Sequence, residues 1–331
     1  MGAAALPAAS PAASPAALPL FIVFNIGSGH GDADEAREAI ANACAAAGRE
    51  HHLLTVDDPK RIAEIAGDAV QRAQQAGGIV VAAGGDGTIN AVAQATLGSG
   101  CAFGVLPQGT FNYFSRTHGI PAGVAEAMQV LLNETPQPAQ VGLVNGRVFL
   151  VNASLGLYPA LLEDREAWKA QLGRSRLVAF GAGLATLLRV HRNLRLRIEL
   201  HGSEGGTRDV RTPTLFVGNN ALQMEQLGFP EAQAIDAGRL AAIALRPVGR
   251  LEMLWLLLRG ATGRLGDADQ VTSFSFERLT VRASRGFGAR RIKIATDGEV
   301  DWMQLPLHFV VSPEPLQLIR PAARAAERAA P

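Results

Sequence analysis

Charge, cysteine and long apolar runs are all scarce in this chain, and each shortage removes a class of protein. Charged residues make up 18% of the 331 positions and cancel to a net charge of +1, which gives no support to bulk nucleic-acid binding. Only two cysteines are present, Cys44 and Cys101. They lack metal-ligand spacing and read as small buried hydrophobes in a reducing compartment. The seven histidines are equally scattered, so His51, His52 and His118 are expected to be structural or solvated rather than ligands. No apolar run reaches the roughly 18–20 residues that cross a bilayer, and the longest candidate, from Leu251 to Leu258, contains Glu252. The opening MGAAALPAASPAASPAALPL has no basic segment, and Pro7, Pro11, Pro15 and Pro19 interrupt the helical centre that a signal peptide needs. It reads as a disordered leader over residues 1–19, and the Ala/Arg-rich residues 322–331 read as a flexible tail. The expectation is a cytoplasmic protein, transiently membrane-associated at most, with no nucleic-acid partner.

What the chain does have is length and apolar content, enough for two ordinary domains. LFIVFNI at 20–26 is a buried-strand pattern, followed by the helical DADEAREAIANACAAAG with acids in its first turn. HHLLTV reads as a strand, and Asp58-Pro59 reads as the cap and first position of the next helix. GIVVAA, a helix to about Leu97, and CAFGVLP continue the alternation. This predicts an α/β N-terminal domain with an open, mostly parallel sheet and helices on both faces, over residues 20–135. Beyond residue 135 the pattern changes. Asn145-Gly146 between two short runs predicts a hairpin, and a helical region follows near 158–192. Strand-like runs such as LRLRIELHG, TPTLFVGNN and RRIKIATDG then dominate, with GRLEMLWLLLRGATG as the one clear helix. A β-rich, mainly antiparallel domain is therefore expected over 136–312, and PLQLIRP, within 313–321, can return to complete the first domain.

Ligands of open parallel sheets sit at the carboxyl ends of strands, and three glycine- or polar-rich turns lie there. In NIGSGHG the glycines allow backbone N–H groups to converge on an anion, although the spacing is neither G-x-x-x-x-G-K nor G-x-G-x-x-G and a plain turn fits equally well. GGDGTIN is stronger: it combines glycines at a bend, a hydroxyl at a helix start and a carboxylate able to hold Mg²⁺. Thr88 as a helix cap and Asp86 as a turn residue would explain one or two of these residues, not the set. LPQGTFNYFSR repeats the theme, and far downstream IATDGEVD sets two carboxylates around a glycine, suited to general-base work, to metal holding or to a plain hairpin.

The ordered set GGDGT, LPQGTFN, Asn152 to Gly156 and the late DGE resembles the bacterial soluble diacylglycerol kinase family, lipid kinases related to the sphingosine kinases. GGDG alone would not separate that family from NAD kinases. The likeness runs over most of residues 20–320. It implies an ATP-binding domain of NAD-kinase/phosphofructokinase-like type, a lipid-substrate domain and an active site in the cleft between them. It further implies ATP and Mg²⁺, with contacts to the nucleotide from Asn25, Ile26, Gly27, Ser28, Gly29 and Thr55, from Gly84, Gly85, Asp86, Gly87, Thr88, Ile89 and Asn90, and from Gly109, Thr110 and Asn112. Glu299 would take the proton of the lipid hydroxyl, with Asp297 beside it; Asp86 would organise the magnesium–phosphate end and is the one candidate metal ligand. Arg116 is a candidate charge-stabilising cation. Two departures stand out: Tyr113 follows Asn112 where many members carry an acid, and Ala237 precedes Gly238, with Asp236 one position early, where some build a structural magnesium site. The basic, Trp168-containing stretch from Arg165 to Arg197 suits a lipid surface, although an ordinary packed helix explains most of it. The sequence thus points to an ATP- and Mg²⁺-dependent kinase acting on diacylglycerol or a related lipid at a membrane surface, with a homodimer possible. The alternatives are an NAD kinase, or a lipid- or nucleotide-binding regulatory protein of the same fold without turnover.

Overall fold

The computed structural model describes residues 18–27, 33–109, 111–157, 159, 193–201, 205–261, 263–284 and 290–322. The predicted helical region at 158–192 lies outside the described residues apart from Pro159. In the first domain β1 (Leu20–Asn25) pairs in parallel with β2 (His51–Val56) and β3 (Ile79–Gly84), and β3 with β4 (Ala102–Pro107). Every residue of β3 and all of β1 but Asn25 are buried, which is why these strands read as continuous apolar runs rather than alternating ones. Around them stand α1 (Ala33–Ala46), α2 (Ile62–Ala76), α3 (Asp86–Thr96), α4 (Tyr113–Thr117) and α5 (Val124–Asn133), with α1 packed on α5 and α2 on α3. Asp58 does cap a helical start, accepting from the Lys60 amide at 3.0 Å, but the start is a single 3-10 turn over Pro59–Arg61 that runs on into α2. Cys44 and Cys101 are free and buried.

The sheet is finished by two distant segments. β5 (Pro136–Ala139) and the last strand, β18 (Leu316–Ile319), give the order β2-β1-β3-β4-β18-β5, with β18 parallel to β4 and antiparallel to β5. The first domain therefore runs past residue 135 and takes its fifth sheet position from the far end of the chain. Arg320, directly after β18, donates to His118 Nδ1 at 2.9 Å. Burial, aided by that guanidinium, drives the His118 pKa down to about 3, so the imidazole is a neutral acceptor there.

The second domain is a sandwich of two six-stranded antiparallel sheets. One contains β6 (Gly142–Val144), β7 (Arg147–Phe149), β9 (Leu194–His201), β10 (Gly206–Thr212), β14 (Arg278–Ala283) and β17 (Leu307–Val311), in the order β10-β9-β14-β17-β6-β7. The other contains β8 (Asn152–Gly156), β11 (Thr214–Gly218), β12 (Leu240–Leu245), β13 (Val271–Phe276), β15 (Arg291–Thr296) and β16 (Glu299–Gln304), in the order β13-β12-β11-β8-β15-β16. Phe149, Leu155, Ile198, Val217, Leu279 and Phe309 meet between them. Two hairpins use the same two-residue loop chemistry. Asn145-Gly146 (φ 49° and 81°) joins β6 to β7, and Asp297-Gly298 (φ 49° and 92°) joins β15 to β16; left-handed φ at both loop positions matches the twist of the strands.

One clear helix was expected here, and it is present as α8 (Arg250–Ala261), but two shorter helices accompany it: α6 (Ala221–Leu227) and α7 (Ala232–Asp236). Asn220 caps α6 by accepting from the Gln223 amide, and Gly228 closes it at φ 82°; seven and five residues are too few for a helical periodicity to show. Asp236 ends α7 and Gly238 takes φ 84°. Among the described residues no three His, Cys, Asp or Glu side chains converge on one point, and no helix is long and apolar enough to cross a membrane. Because β18 is an interior strand of the first sheet, Leu318→Ala, at a fully buried position, is expected to cost about 2–5 kcal/mol in urea unfolding. A loss below about 1 kcal/mol would show that the returning strand is not integral to the first domain.

Candidate active site

The described parts of the three turns singled out in the sequence lie together at the carboxyl ends of β1, β3 and β4. Asn25 ends β1, and its Nδ2 donates to Thr88 Oγ1 in α3 at 2.8 Å, while its Oδ1 accepts from the Gly27 amide at 3.0 Å. Thr55 lies beside them in β2, in register with Phe24. Ser28, Gly29 and Thr110 lie outside the described residues. The helix cap is Gly85 rather than Thr88, whose hydroxyl is buried in the third position of α3 and spent on Asn25. The first-turn amides of α3 have no intrahelical acceptors, so this helix start offers N–H groups to an anion. The turn at 107–112 lies against it backbone to backbone: a methyl group at Gly109 would stand 3.0 Å from Gly85 Cα. A side chain at position 109 would crowd that approach, which brings the second and third turns together.

Asn112 shapes the third turn from within. It takes φ 46°, and its side-chain amide closes on Gly109 through Nδ2 to the carbonyl (2.7 Å) and Oδ1 from the amide (3.2 Å). Its own N–H donates to Asp86 Oδ2 at 3.2 Å. The other oxygen, Asp86 Oδ1, is buried with no hydrogen-bond partner. Burial pushes the Asp86 carboxyl above the ordinary aspartate range, against backbone N–H groups of Asn112 and Tyr113 that pull it down. An orphaned, buried carboxylate oxygen fits a cation, which would restore the ionised form. Arg116, by contrast, is exposed and lies with its guanidinium 5.6 Å from the Tyr113 ring.

The DGE hairpin comes to the same place from the second domain. A methyl group at Gly87 would stand 3.1 Å from Glu299 Oε1, so the Glu299 carboxylate lies against the first turn of α3. Asp297 does something different. Its Oδ1 accepts from the amides of Val151 (2.9 Å) and Asn152 (2.9 Å), and its Oδ2 from the Leu150 amide (2.6 Å) and from Asn90 Nδ2 (2.6 Å). Burial pushes this carboxyl up, and the four donated hydrogen bonds pull it down. Asn90 gives its remaining bond to the Val148 carbonyl at 3.1 Å. Asn90 and Asp297 are thus spent on each other and on the crossover at 148–152, and Ile89 is buried in the first domain's core. The exposed carboxylate at the helix start is that of Glu299, whose side chain is 62% accessible.

Sequence inspection missed Arg147 and Gln94. Arg147 donates to Asp301 at 2.7 Å and reaches Glu299 Oε2 at 3.5 Å; Gln94 accepts from the Val148 amide and donates to the Gly146 carbonyl. The available signal was the period-two pair Glu299 and Asp301 on one face of β16, which calls for a cation opposite.

Residues 19–144, which contain β1 to β5 of the first domain, match the diacylglycerol kinase catalytic domain. Among relatives, a diacylglycerol kinase of Bacillus subtilis (strain 168) is 39% identical over 106 residues, 30% of this chain and 35% of its own length. The probable lipid kinase YegS-like protein of Pseudomonas aeruginosa (strain UCBPP-PA14) is 40% identical over 129 residues, 37% of this chain and 40% of its own. These alignments thus span well under half of either relative. The likeness of fold is broader. The crystal structure of a diacylglycerol kinase from Bacillus anthracis str. Sterne covers 92% of this chain and 97% of its own, with a TM-score of 0.63 at 19% identity. Another structure from that organism reaches 0.68 at 20% identity over 92% and 98%.

Asp86 makes a pH prediction. A folded-state pKa above the unfolded value of about 3.9 means that the native state holds more proton, so the contribution of Asp86 to stability falls as pH climbs from about 4 toward the raised value. Asp86→Asn removes that loss. In chelator-containing buffer its urea midpoint relative to wild type is expected to rise over that window and to be constant below it. Parallel pH profiles for the two proteins would contradict the buried, raised carboxyl.

Proposed function

We propose that this protein is a kinase that transfers the γ-phosphate of ATP to the hydroxyl of diacylglycerol or a related lipid. The observation that carries the reading is Glu299: an accessible carboxylate from one domain set beside Gly87, at the anion-binding start of α3 in the other. Phosphoryl transfer asks a protein mainly for positioning and charge stabilisation. The first turn of α3 supplies backbone donors for the phosphates. A magnesium ion would be held from Asp86 and would neutralise phosphate charge. Glu299 accepts the proton of the attacking hydroxyl, a role suited to a carboxylate at a cleft edge, and Arg147 lies beside it. Asp297 and Asn90 position Glu299 rather than touch substrate. The match of residues 19–144 to the diacylglycerol kinase catalytic domain favours a lipid acceptor over NAD.

The test is purified protein with labelled ATP, Mg²⁺ and a panel of lipids in mixed micelles, with NAD as a control acceptor. Labelled lipid is expected; labelled NAD alone would overturn the reading, and nucleotide binding with no product would point to a regulatory protein. Glu299→Gln is expected to lower turnover by at least about 10²-fold with ATP affinity within about twofold of wild type, the range attributed to a general base. Undiminished turnover would remove Glu299 from that role.

A further inference from the structure

Glu299 stands on a strand that is held from one side. β7 and β16 are the last strands of their sheets, so among the described residues β16 has β15 as its one partner strand. Glu299 and Asp301, two apart, share a face of β16, as Arg147 and Phe149 share a face of β7. Ile294, opposite Asp301 on β15, and Phe149 both turn into the core between the sheets. The two strands therefore set Arg147 and the two carboxylates toward each other at the margin where that core ends.

Arg147 does not depend on β16 for its place, because the residues on either side of it are bonded to α3. The Gly146 carbonyl accepts from Gln94 Nε2 at 3.3 Å. Val148 donates to Gln94 Oε1 at 2.7 Å and accepts from Asn90 Nδ2 at 3.1 Å. From there the guanidinium spans the margin, with Nη1 2.7 Å from Asp301 Oδ2 and Nη2 3.5 Å from Glu299 Oε2. The other Glu299 oxygen, Oε1, is the one beside Gly87. Both carboxylates are largely accessible, at 62% and 59%, and ion pairs that exposed add little to folding stability. What the bridge fixes is the direction of the Glu299 carboxylate.

We propose that Arg147, anchored by Asp301, is a positioning residue for phosphoryl transfer. It holds Oε2 of Glu299 so that Oε1 faces the start of α3, where the acceptor hydroxyl meets the phosphate. A guanidinium suits this because its fixed fork gives one amino group to each carboxylate, which the single ammonium of lysine does not. This tether runs from α3 through β7 and across to β16, whereas that of Asp297 runs through the hairpin loop. The inference deepens the lipid-kinase reading and rests on it for the step served, but the tether itself is measured without turnover.

Hydrogen exchange of the free protein tests the tether: Arg147→Ala is expected to speed exchange of the β16 amides severalfold and to leave α3 unchanged. With ATP and diacylglycerol in mixed micelles, Arg147→Ala is expected to lower kcat by about 10- to 10²-fold with KM for ATP within about twofold, the loss a misplaced group brings. Added guanidinium is expected to restore part of that rate, and urea at the same concentration none of it; Arg147→Lys is expected to stay slow. Asp301→Asn also lowers kcat, and the Arg147→Ala/Asp301→Asn pair is no slower than the slower single variant. In a Glu299→Gln background Arg147→Ala costs nothing further, because its effect passes through Glu299. Arg282→Ala, which breaks a surface pair with Glu199, is expected to keep the wild-type rate and β16 exchange, and circular dichroism checks the fold of each variant. Wild-type kcat in Arg147→Ala or unchanged β16 exchange would overturn the proposal. So would a further loss in the Glu299→Gln background, which would make Arg147 a direct phosphate contact. Absence of labelled lipid with the wild-type protein would count against the kinase reading alone, and β16 exchange would still decide the tether.

Discussion

One buried carboxylate holds the candidate active site in shape. Asp297 gathers three consecutive amides, those of Leu150, Val151 and Asn152, and the side chain of Asn90. These donors belong to the crossover between the two sheets of the second domain and to α3 of the first. Left unpaired, each would cost about 1–3 kcal/mol, more around a charge. Satisfied together, they fix the Asp297-Gly298 loop, and with it the start of β16, against α3. Glu299 starts that strand two residues after Asp297, and its carboxylate lies beside Gly87. Left-handed φ at Asp297 is what lets a two-residue loop turn its first side chain inward while the next strand leaves outward.

This division of labour separates two residues that look alike in sequence. In IATDGEVD both acids flank the same glycine, yet one is spent on structure and the other is accessible. The separation could not be read from the chain because the partners of Asp297 lie 145–147 and 207 residues away, and no local pattern encodes them. Asn90 is a similar case. Its place in GGDGTIN suggested the nucleotide side, and its amide donates to Asp297 and to the Val148 carbonyl, partners no local pattern encodes. The alternating strands and helices of the first domain were legible because β1 and β3 are buried on both faces and their turns are glycine-marked. The Asn145-Gly146 hairpin was legible because few residues other than Asn and Gly tolerate its backbone. The helices α6 and α7 were not, being too short to show a period.

The nucleotide side depends on a different constraint, the contact of two backbones. Gly85 and Gly109 bring the second and third turns within reach of one ligand, and the Asn112 amide ties the third turn to Asp86. The cost is a carboxylate with one oxygen stranded in the protein, a destabilising arrangement that a cation there would relieve. Sites arranged for ligand binding commonly carry such local penalties. The protein's first domain matches the diacylglycerol kinase catalytic domain, and the second domain sets the Glu299 carboxylate beside it.

The central claim is that Asp297 acts on transfer by positioning Glu299 and leaves the nucleotide turns alone. The most direct measurement compares ATP affinity with phosphoryl transfer to diacylglycerol in folded Asp297→Asn, where one acceptor oxygen facing amide donors becomes an NH₂ group. ATP affinity is expected to stay within about twofold of wild type while the transfer rate falls by about 10²-fold or more, as when a positioned general base is displaced. Wild-type transfer by the folded variant, or a loss confined to ATP binding, would contradict it.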